Sequence, residues 1–298
     1  MSVMHKVVFH ALRAAGMPLG SLRTRGPFQL IYEKLGRKAY PRPDTFFWSR
    51  NRWGHEFHLS YSYHIDRQIL IYGTYDPQLH NFIERSITPG MICMDVGANL
   101  GEMTLHMANK VNPGGAVFSF EPVPNVYQRL VTHIARNGLD GVVYPFDLAL
   151  SNVNGPVNLA FTDDDADNQA LGSIVNTGRD GLTRQAIVQG CTLDSFVAQH
   201  RIASIDFMKI DIQGAEWFLL EGGSRVFSDM GPELLMEVSP LDLKEIGKNS
   251  RQLAQLIESF GYRIYTLNAD GTPGHRLLAS FLDTAFSASN VLCTKKIA

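Results

Sequence analysis

The chain has 298 residues, 45% of them apolar and 19% charged, a balance that fills a globular core and excludes disordered, collagen-like and coiled-coil architectures. Three cysteines, Cys93, Cys191 and Cys293, are odd in number and widely spaced, so neither a disulfide framework nor a cysteine zinc site is expected. The net charge of -2 hides an asymmetry, because residues 1–60 carry ten Lys/Arg against three acids and the remainder carries 17 against 26.

No stretch approaches the ~18 uncharged apolar residues that span a bilayer, and the N-terminus lacks an apolar core followed by a small-residue cleavage site. The expectation is a soluble, cytoplasmic protein with no stable membrane insertion. The basic N-terminal segment has no Lys/Arg run longer than two residues, so nucleic acid is not an expected partner.

From Met1 to about Gly26, Val3, Val7, Val8, Ala11 and Leu12 fall at helical spacing, which predicts an amphipathic helix followed by a Gly/Pro-rich linker. Between His55 and Ile65 apolar and polar residues alternate, which predicts a strand in a hairpin. His55 and His58 are three apart there; a strand sends such side chains to opposite faces, so they are not expected to share a metal. An apolar segment from Met91 to Val96 then runs into Gly97, Asn99 and Gly101 and a helical stripe of Leu100, Met103, Met107 and Val111, stopped by Asn112-Pro113-Gly114-Gly115. A strand from Ala116 to Phe120, a helix carrying Val126, Leu130, Val131 and Ile134, and a strand from Val142 to Phe146 follow. This alternation predicts βαβ units and a parallel sheet with helices on both faces.

Residues 155–190 break the rhythm with a short alternating stretch, several glycines and the acidic run Asp163, Asp164, Asp165 and Asp167, and read as an insertion over the rim of the sheet. The run lacks the spaced ligands of a calcium loop and reads as solvated. Next come a helix near Leu193, a strand from Ile205 to Ile212, a helix from Ala215 to about Phe227, a strand from Glu233 to Val238, and a helix through Leu253, Leu256, Ile257 and Phe260. The last two strands, Tyr262 to Leu267 and Asn290 to Thr294, have no crossover helix between them and are expected to be antiparallel. The expected fold is α/β, a mostly parallel seven-stranded sheet with an antiparallel edge strand and helices on both faces.

The strongest local signal is Asp95-Val96-Gly97-Ala98-Asn99-Leu100-Gly101, where the first sheet strand turns into a helix. Glycines there permit positive φ and close ligand approach. Glu121 ends the next strand, where a carboxylate can accept both hydroxyls of a ribose. The turn is G-x-N-x-G rather than the G-x-G-x-x-G that cradles a pyrophosphate, and a P-loop Lys is absent. S-adenosylmethionine has a ribose and no phosphate, and Asp95 suits its cationic groups, although it could equally brace the glycine turn.

With these segments in view, the sequence resembles the FkbM-type S-adenosylmethionine-dependent methyltransferases from about Gly73 to Lys295. The resemblance is carried by Pro89-Gly90 with the Asp95 to Gly101 stretch; Phe120-Glu121-Pro122; Ala149-Leu150-Ser151; Thr192-Leu193-Asp194; Lys209-Ile210-Asp211-Ile212-Gln213-Gly214-Ala215-Glu216; and Glu237-Val238. It implies a Rossmann-like methyltransferase fold, S-adenosyl-L-methionine as cofactor, and O-methylation of sugars or secondary metabolites. By that similarity Gly97, Asn99, Gly101 and Glu121 line the cofactor site, and Asp147 with Leu148 lies where the adenine is held. The family usually carries Glu where this chain has Gln213.

Asp211 sits in a strand otherwise built of Ile, Phe and Met, where a carboxylate needs compensation; Lys209 is its candidate partner. Its place at a strand's carboxyl end makes it the candidate base, coupled to Glu237 on the neighbouring strand, without an obligatory metal ion. Glu216 opens a helix, where the dipole alone stabilises an acid. The expected division is a basic, aromatic extension at residues 1–70, helix plus hairpin, and a methyltransferase domain at 71–298 with the insertion at about 155–190. The extension is a candidate for acceptor recognition or for homo-oligomer assembly. The expected acceptor is a small molecule or glycan; the alternatives are a nicotinamide-dependent oxidoreductase and a non-catalytic protein that binds the cofactor or a glycan.

Overall fold

The computed structural model describes residues 45–161, 172–173, 184–278 and 289–296, together with Lys34. The predicted N-terminal helix and the acidic run at 163–167 lie outside the described residues. The description opens with a hairpin in which β1 (Phe46–Arg50) pairs antiparallel with β2 (Glu56–Ser60). The strand expected to continue to Ile65 stops at Ser60, because Asp66 takes the Ser60 N–H at 2.7 Å and the chain turns into α1 (His64–Tyr72). The next helix, α2 (Pro77–Ser86), was not expected, yet its start is a clear cap. Asp76 accepts the N–H groups of Gln78 and Leu79, and Pro77 takes the first helical position.

The regular part contains β3 (Ile92–Val96), α3 (Glu102–Val111), β4 (Ala116–Phe120), α4 (Pro124–Arg136) and β5 (Val143–Phe146). The insertion region follows with β6 (Leu148–Ser151), β7 (Gly155–Phe161), β8 (Gly172–Ser173) and β9 (Arg184–Thr192), which form a separate four-stranded sheet in the order β6-β9-β7-β8. Its apolar side closes over Val123, Val126 and Ala149 through Leu159 and Val188. Then come α5 (Leu193–His200), β10 (Phe207–Ile210), α6 (Glu216–Gly222), β11 (Glu233–Val238), α7 (Pro240–Glu245), α8 (Ser250–Ser259), β12 (Arg263–Leu267), β13 (Pro273–Leu277) and β14 (Ser289–Thr294). The helix expected to run to Phe227 ends earlier. A Cβ on Gly222 would lie 2.0 Å from the Ser151 carbonyl oxygen, so α6 presses against β6 there, and a π-helical turn at Val226–Met230 replaces its continuation.

The main sheet has eight strands in the order β13-β12-β14-β11-β10-β3-β4-β5. From β11 to β5 all neighbours are parallel. As expected, β12 and β14 are antiparallel, but β14 sits inside, antiparallel to β11 as well. The edge is an additional antiparallel strand, β13, whose largely exposed residues carry no apolar alternation. Successive residues feed opposite layers: Cys93, Phe207, Leu235 and Leu292 join the core of α1 to α4, and Met94, Met208, Leu234 and Cys293 join that of α5, α6 and α8. Among the described residues no helix is long and apolar enough to cross a membrane.

The hairpin belongs to the first of these layers. Phe57 and Leu59 are 0% exposed, and Asp66, its side chain 1% exposed, pairs with Arg129 on α4 at 2.7 Å. A division near residue 70 stands as a proposal about organisation, and a cut there would open this cluster. Burial raises the pKa of Asp66 even against the nearby guanidinium. Arg129→Met would leave that carboxyl without its cation, and removing one partner of a buried pair costs about 3 to 5 kcal/mol. The variant is expected to lose stability of that order in urea unfolding; a loss under about 1 kcal/mol, the worth of a surface pair, would refute this account of the hairpin's anchorage.

Candidate active site

Successive strands step from β3 to β4 and β5 on one side, while β10 and β11 lie on the other. The connections therefore diverge between β3 and β10, and in open α/β sheets ligands bind at the carboxyl ends of the strands flanking such a point. Gly97 follows β3, Glu121 follows β4, Asp211 follows β10, and Glu237 lies near the end of β11. Register places Asp95 beside Lys209, and Lys209 beside Leu235.

The buried ammonium of Lys209 joins the two central strands. It donates to the Gly97 carbonyl at 2.8 Å and faces Asp95 Oδ1 at 3.4 Å and Asp211 Oδ2 at 3.5 Å. Burial disfavours its charge, but Asp95 and Asp211 outweigh burial and raise its pKa. Asp95 is completely buried, and its Oδ2 accepts the Thr104 hydroxyl at 2.6 Å. Gly97 is at φ 81°, and a Cβ there would fall 1.9 Å from the Asp211 carbonyl oxygen. Only glycine fits where the two strand ends touch.

Glu121 reaches across the glycine turn. Its Oε2 accepts the Asn99 N–H and its Oε1 the Val123 N–H, both at 2.9 Å. Each oxygen keeps a lone-pair direction for a further donor. Burial pushes its pKa up to about 7, against those two backbone bonds.

On the opposite wall, Gln213, at φ 54°, donates its amide to Asp211 Oδ1 at 3.1 Å and to Glu237 Oε2 at 3.2 Å. Glu216 Oε1 braces the same turn by accepting the N–H groups of Ile212 at 3.2 Å and Gly214 at 3.3 Å. Burial would raise Asp211, but Lys209, with hydrogen bonds from Glu237 and Gln213, holds its pKa below the usual carboxylate value. Glu237 goes the other way: burial, then the charge of Asp211, pushes it up to about 8. The pair shares one proton at neutral pH.

One cavity brings together Gly97, Asn99, Glu121, Leu148, Asp211 and Glu237. Asp95, Gly101 and Asp147 are not on its wall. Asp95 stands behind Lys209, Asp147 is exposed, and Gly101 gives up its Cβ to Leu130, whose Cδ1 would be 2.6 Å from one. The wall also holds Tyr75, Asp76, Glu102 and Asn290, which the sequence reading missed. The Asp76-Pro77 cap was a legible signal for two of them, since Asp76 also accepts the Asn290 amide at 3.1 Å. Among the described residues, no group of three or more His, Cys, Asp or Glu is arranged to hold a metal ion.

Because the charge of Asp211 supports the high pKa of Glu237, Asp211→Asn is expected to lower it by about one unit or more, with burial keeping it above the ordinary value. A carboxyl-carbon NMR titration reads this directly, and an unchanged midpoint near the wild-type value would mean that burial alone sets it.

Residues 95–264, more than half of the chain, match the Methyltransferase FkbM domain family. Comparison with curated proteins gives no match. Similar solved structures include a methyltransferase FkbM from Methylobacillus flagellatus KT, at 14% identity and TM-score 0.45, covering 98% of this chain and 59% of that one. TYW2 from P. horikoshii, in complex with MeSAdo, is similar at 12% identity and TM-score 0.43, over 85% of this chain and 73% of that one. Aeropyrum pernix fibrillarin, with natively bound S-adenosyl-L-methionine, gives 12% identity and TM-score 0.41, over 85% and 84%. The match across the glycine turn, Glu121, Asp211 and Glu237 makes this chain a member of the FkbM family of S-adenosylmethionine-dependent methyltransferases.

Proposed function

We propose that this chain transfers a methyl group from S-adenosylmethionine to a hydroxyl of a sugar, glycan or small metabolite, with Asp211 as base and Glu237 coupled to it. The observation that carries this reading is the shared wall: a ribose-compatible carboxylate, Glu121, and a carboxyl pair, Asp211 and Glu237, open into one cavity.

The residues present fit the cofactor. Glu121 has acceptor capacity left for ribose hydroxyls, while Val123, Leu148 and Ala149 offer apolar contact to a base. Asp76, Glu102, Glu121, Asp211 and Glu237 line the cavity against Lys209, and its ammonium is already engaged. That charge suits a cationic ligand and gives a pyrophosphate no free cation, which disfavours the nicotinamide alternative. When bound, the cofactor supplies an electrophilic methyl carried on a cationic sulfur. The chain's own work is to orient the acceptor oxygen, worth up to ~7 to 11 kcal/mol of barrier when the attack geometry is pre-set, and to accept its proton at Asp211 Oδ1 or Oδ2. Lys209 keeps Asp211 ionised, and Gln213 fixes its carboxylate plane relative to Glu237.

Losing the ribose contact at Glu121 is expected to weaken S-adenosylhomocysteine binding about ten- to a hundredfold, from ~1.5 to 3 kcal/mol for hydrogen bonds to a charged group. Glu121 also braces the turn, so calorimetry on Glu121→Ala should include the 2′,3′-dideoxy analogue. A loss confined to the hydroxyl-bearing ligand supports the ribose role, and an equal loss for both reduces Glu121 to a brace.

Asp211→Asn is expected to leave cofactor affinity nearly intact while turnover of a methylated acceptor falls by about 10² to 10⁴. The acceptor is found by screening metabolite and glycan pools with methyl-labelled cofactor. Wild-type turnover should rise as pH increases through about 8, where Glu237 gives up its proton and the pair can accept another. Loss of activity in EDTA with recovery in Mg²⁺ would replace this mechanism by a metal-assisted one. Cofactor binding without methylation of any pool would favour the non-catalytic alternative.

A further inference from the structure

Beneath the cavity wall, two buried histidines link Glu102 to the protein surface. His106 Nε2 lies 2.7 Å from Glu84 Oε1, the Nδ1 atoms of His106 and His80 are in direct contact, and His80 Nε2 lies 3.3 Å from Glu102 Oε1. The side chains of His80 and His106 are 0% and 2% exposed, whereas that of Glu84 is 45% exposed. Trp53 stacks on His80 at 3.6 Å between centroids and seals the pair from solvent. Glu102 belongs to the cavity wall and holds the neighbouring Tyr75 N–H at 3.0 Å. We propose that Glu102, His80, His106 and Glu84 form a proton relay that carries the proton of the methylated hydroxyl from the closed cavity to solvent.

The proton count supports this role. The chain has three junctions, Glu102 to His80, His80 to His106, and His106 to Glu84, while two neutral imidazoles supply two protons. One junction is always empty. The middle one is too close to oppose two bare nitrogens, so the vacancy sits at an end. His80 Nε2 and Glu102 Oε1 are both buried without a hydrogen-bond partner, which places it at the inner end. Burial, then the charge of His80, holds His106 down to about 4, so its ring is neutral near pH 7. The other groups around the pair are His55, bonded to Asn109 at 2.7 Å and itself held down to about 4 by burial, Asp76 at the start of α2, and Lys110, 3.0 Å from Glu84.

The relay rests on the hydroxyl-methylation reading. As the acceptor O–H bond breaks and the O–CH₃ bond forms, the proton passes to the Asp211–Glu237 pair and on to Glu102 in the same cavity. Glu102 gives it to His80 Nε2, His80 gives its Nδ1 proton to His106 Nδ1, and His106 gives its Nε2 proton to Glu84, which releases it. The vacancy is then at the outer end. When the cavity opens, a proton leaves Glu102 and another enters at Glu84, and the chain is reset without turning a stacked ring.

The test uses the full chain with ¹⁵N-labelled histidine. Protonating Glu84 fills the outer junction, so the His80 proton should move from Nδ1 to Nε2 and its two ring nitrogens should exchange their NMR shifts. Glu84→Gln should abolish that response. A His80 ring that ignores Glu84 overturns the relay without needing any acceptor. With an acceptor from the labelled-cofactor screen, His106→Phe should change the pH profile and solvent isotope effect of turnover. A conducting chain whose His106→Phe variant keeps both leaves only a packing role and also overturns the proposal. A wild-type protein that methylates no hydroxyl refutes the reading of the cavity, while the NMR titration still decides whether the chain conducts.

Discussion

The site depends on one ammonium taken out of water. Lys209 stands in the middle of a parallel sheet, on the layer otherwise filled by Cys93, Phe207 and Leu235, where an isolated charge would be prohibitive. Its three oxygens come from three places: the carboxylate of β3, the carbonyl of the turn after β3, and the carboxylate after β10. The same contact therefore compensates the charge and fixes the two strand ends that flank the divergence point. Gly97 is forced by the same closeness, since any side chain would enter the backbone of Asp211. The glycine turn is first a packing solution between strands and only then a space for a ligand.

That priority explains how much of the molecule was legible in the sequence. The strands Ala116–Phe120 and Glu233–Val238 were read to the residue because they are short apolar runs bounded by turn signals. The elements that were missed, α2, α7 and β13, are short or exposed. Both helices open on a polar cap followed by proline, Asp76-Pro77 and Ser239-Pro240, a signal that periodicity alone passes over. The overrun of β2 arose because His64 and Ile65 continue a period of two for a few residues before α1 begins, and only the tertiary bond from Ser60 to Asp66 decides between them.

Within the site, strand-end position was the better guide and residue type the weaker one. Glu121, Asp211 and Glu237 reach the cavity because each ends or follows a parallel strand at the same edge. Asp95 precedes its turn by two residues, and the pleat turns it inward to Lys209. Gly101 and Asp147 belong to the same motifs, but one packs against Leu130 and the other is exposed. Glu102 and Tyr75 could not be read from a linear motif, because a backbone bond between segments 27 residues apart brings them together.

Gln213 shows why the charge balance of the cavity matters. It occupies a turn at positive φ, between two acidic side chains that it bonds simultaneously. A carboxylate there would stand about 4 Å or less from two others, each contact costing about 4 kcal/mol at an effective dielectric constant of ~20. The sequence that usually accompanies this motif accepts that arrangement with Glu, and such a group has to hold a proton or a cation to persist. With an amide, the bridging protons are permanent. Asp211 can then remain ionised against Lys209 while Glu237 keeps its proton. The neutral side chain at 213 is what lets two adjacent carboxyl groups hold different protonation states at one pH.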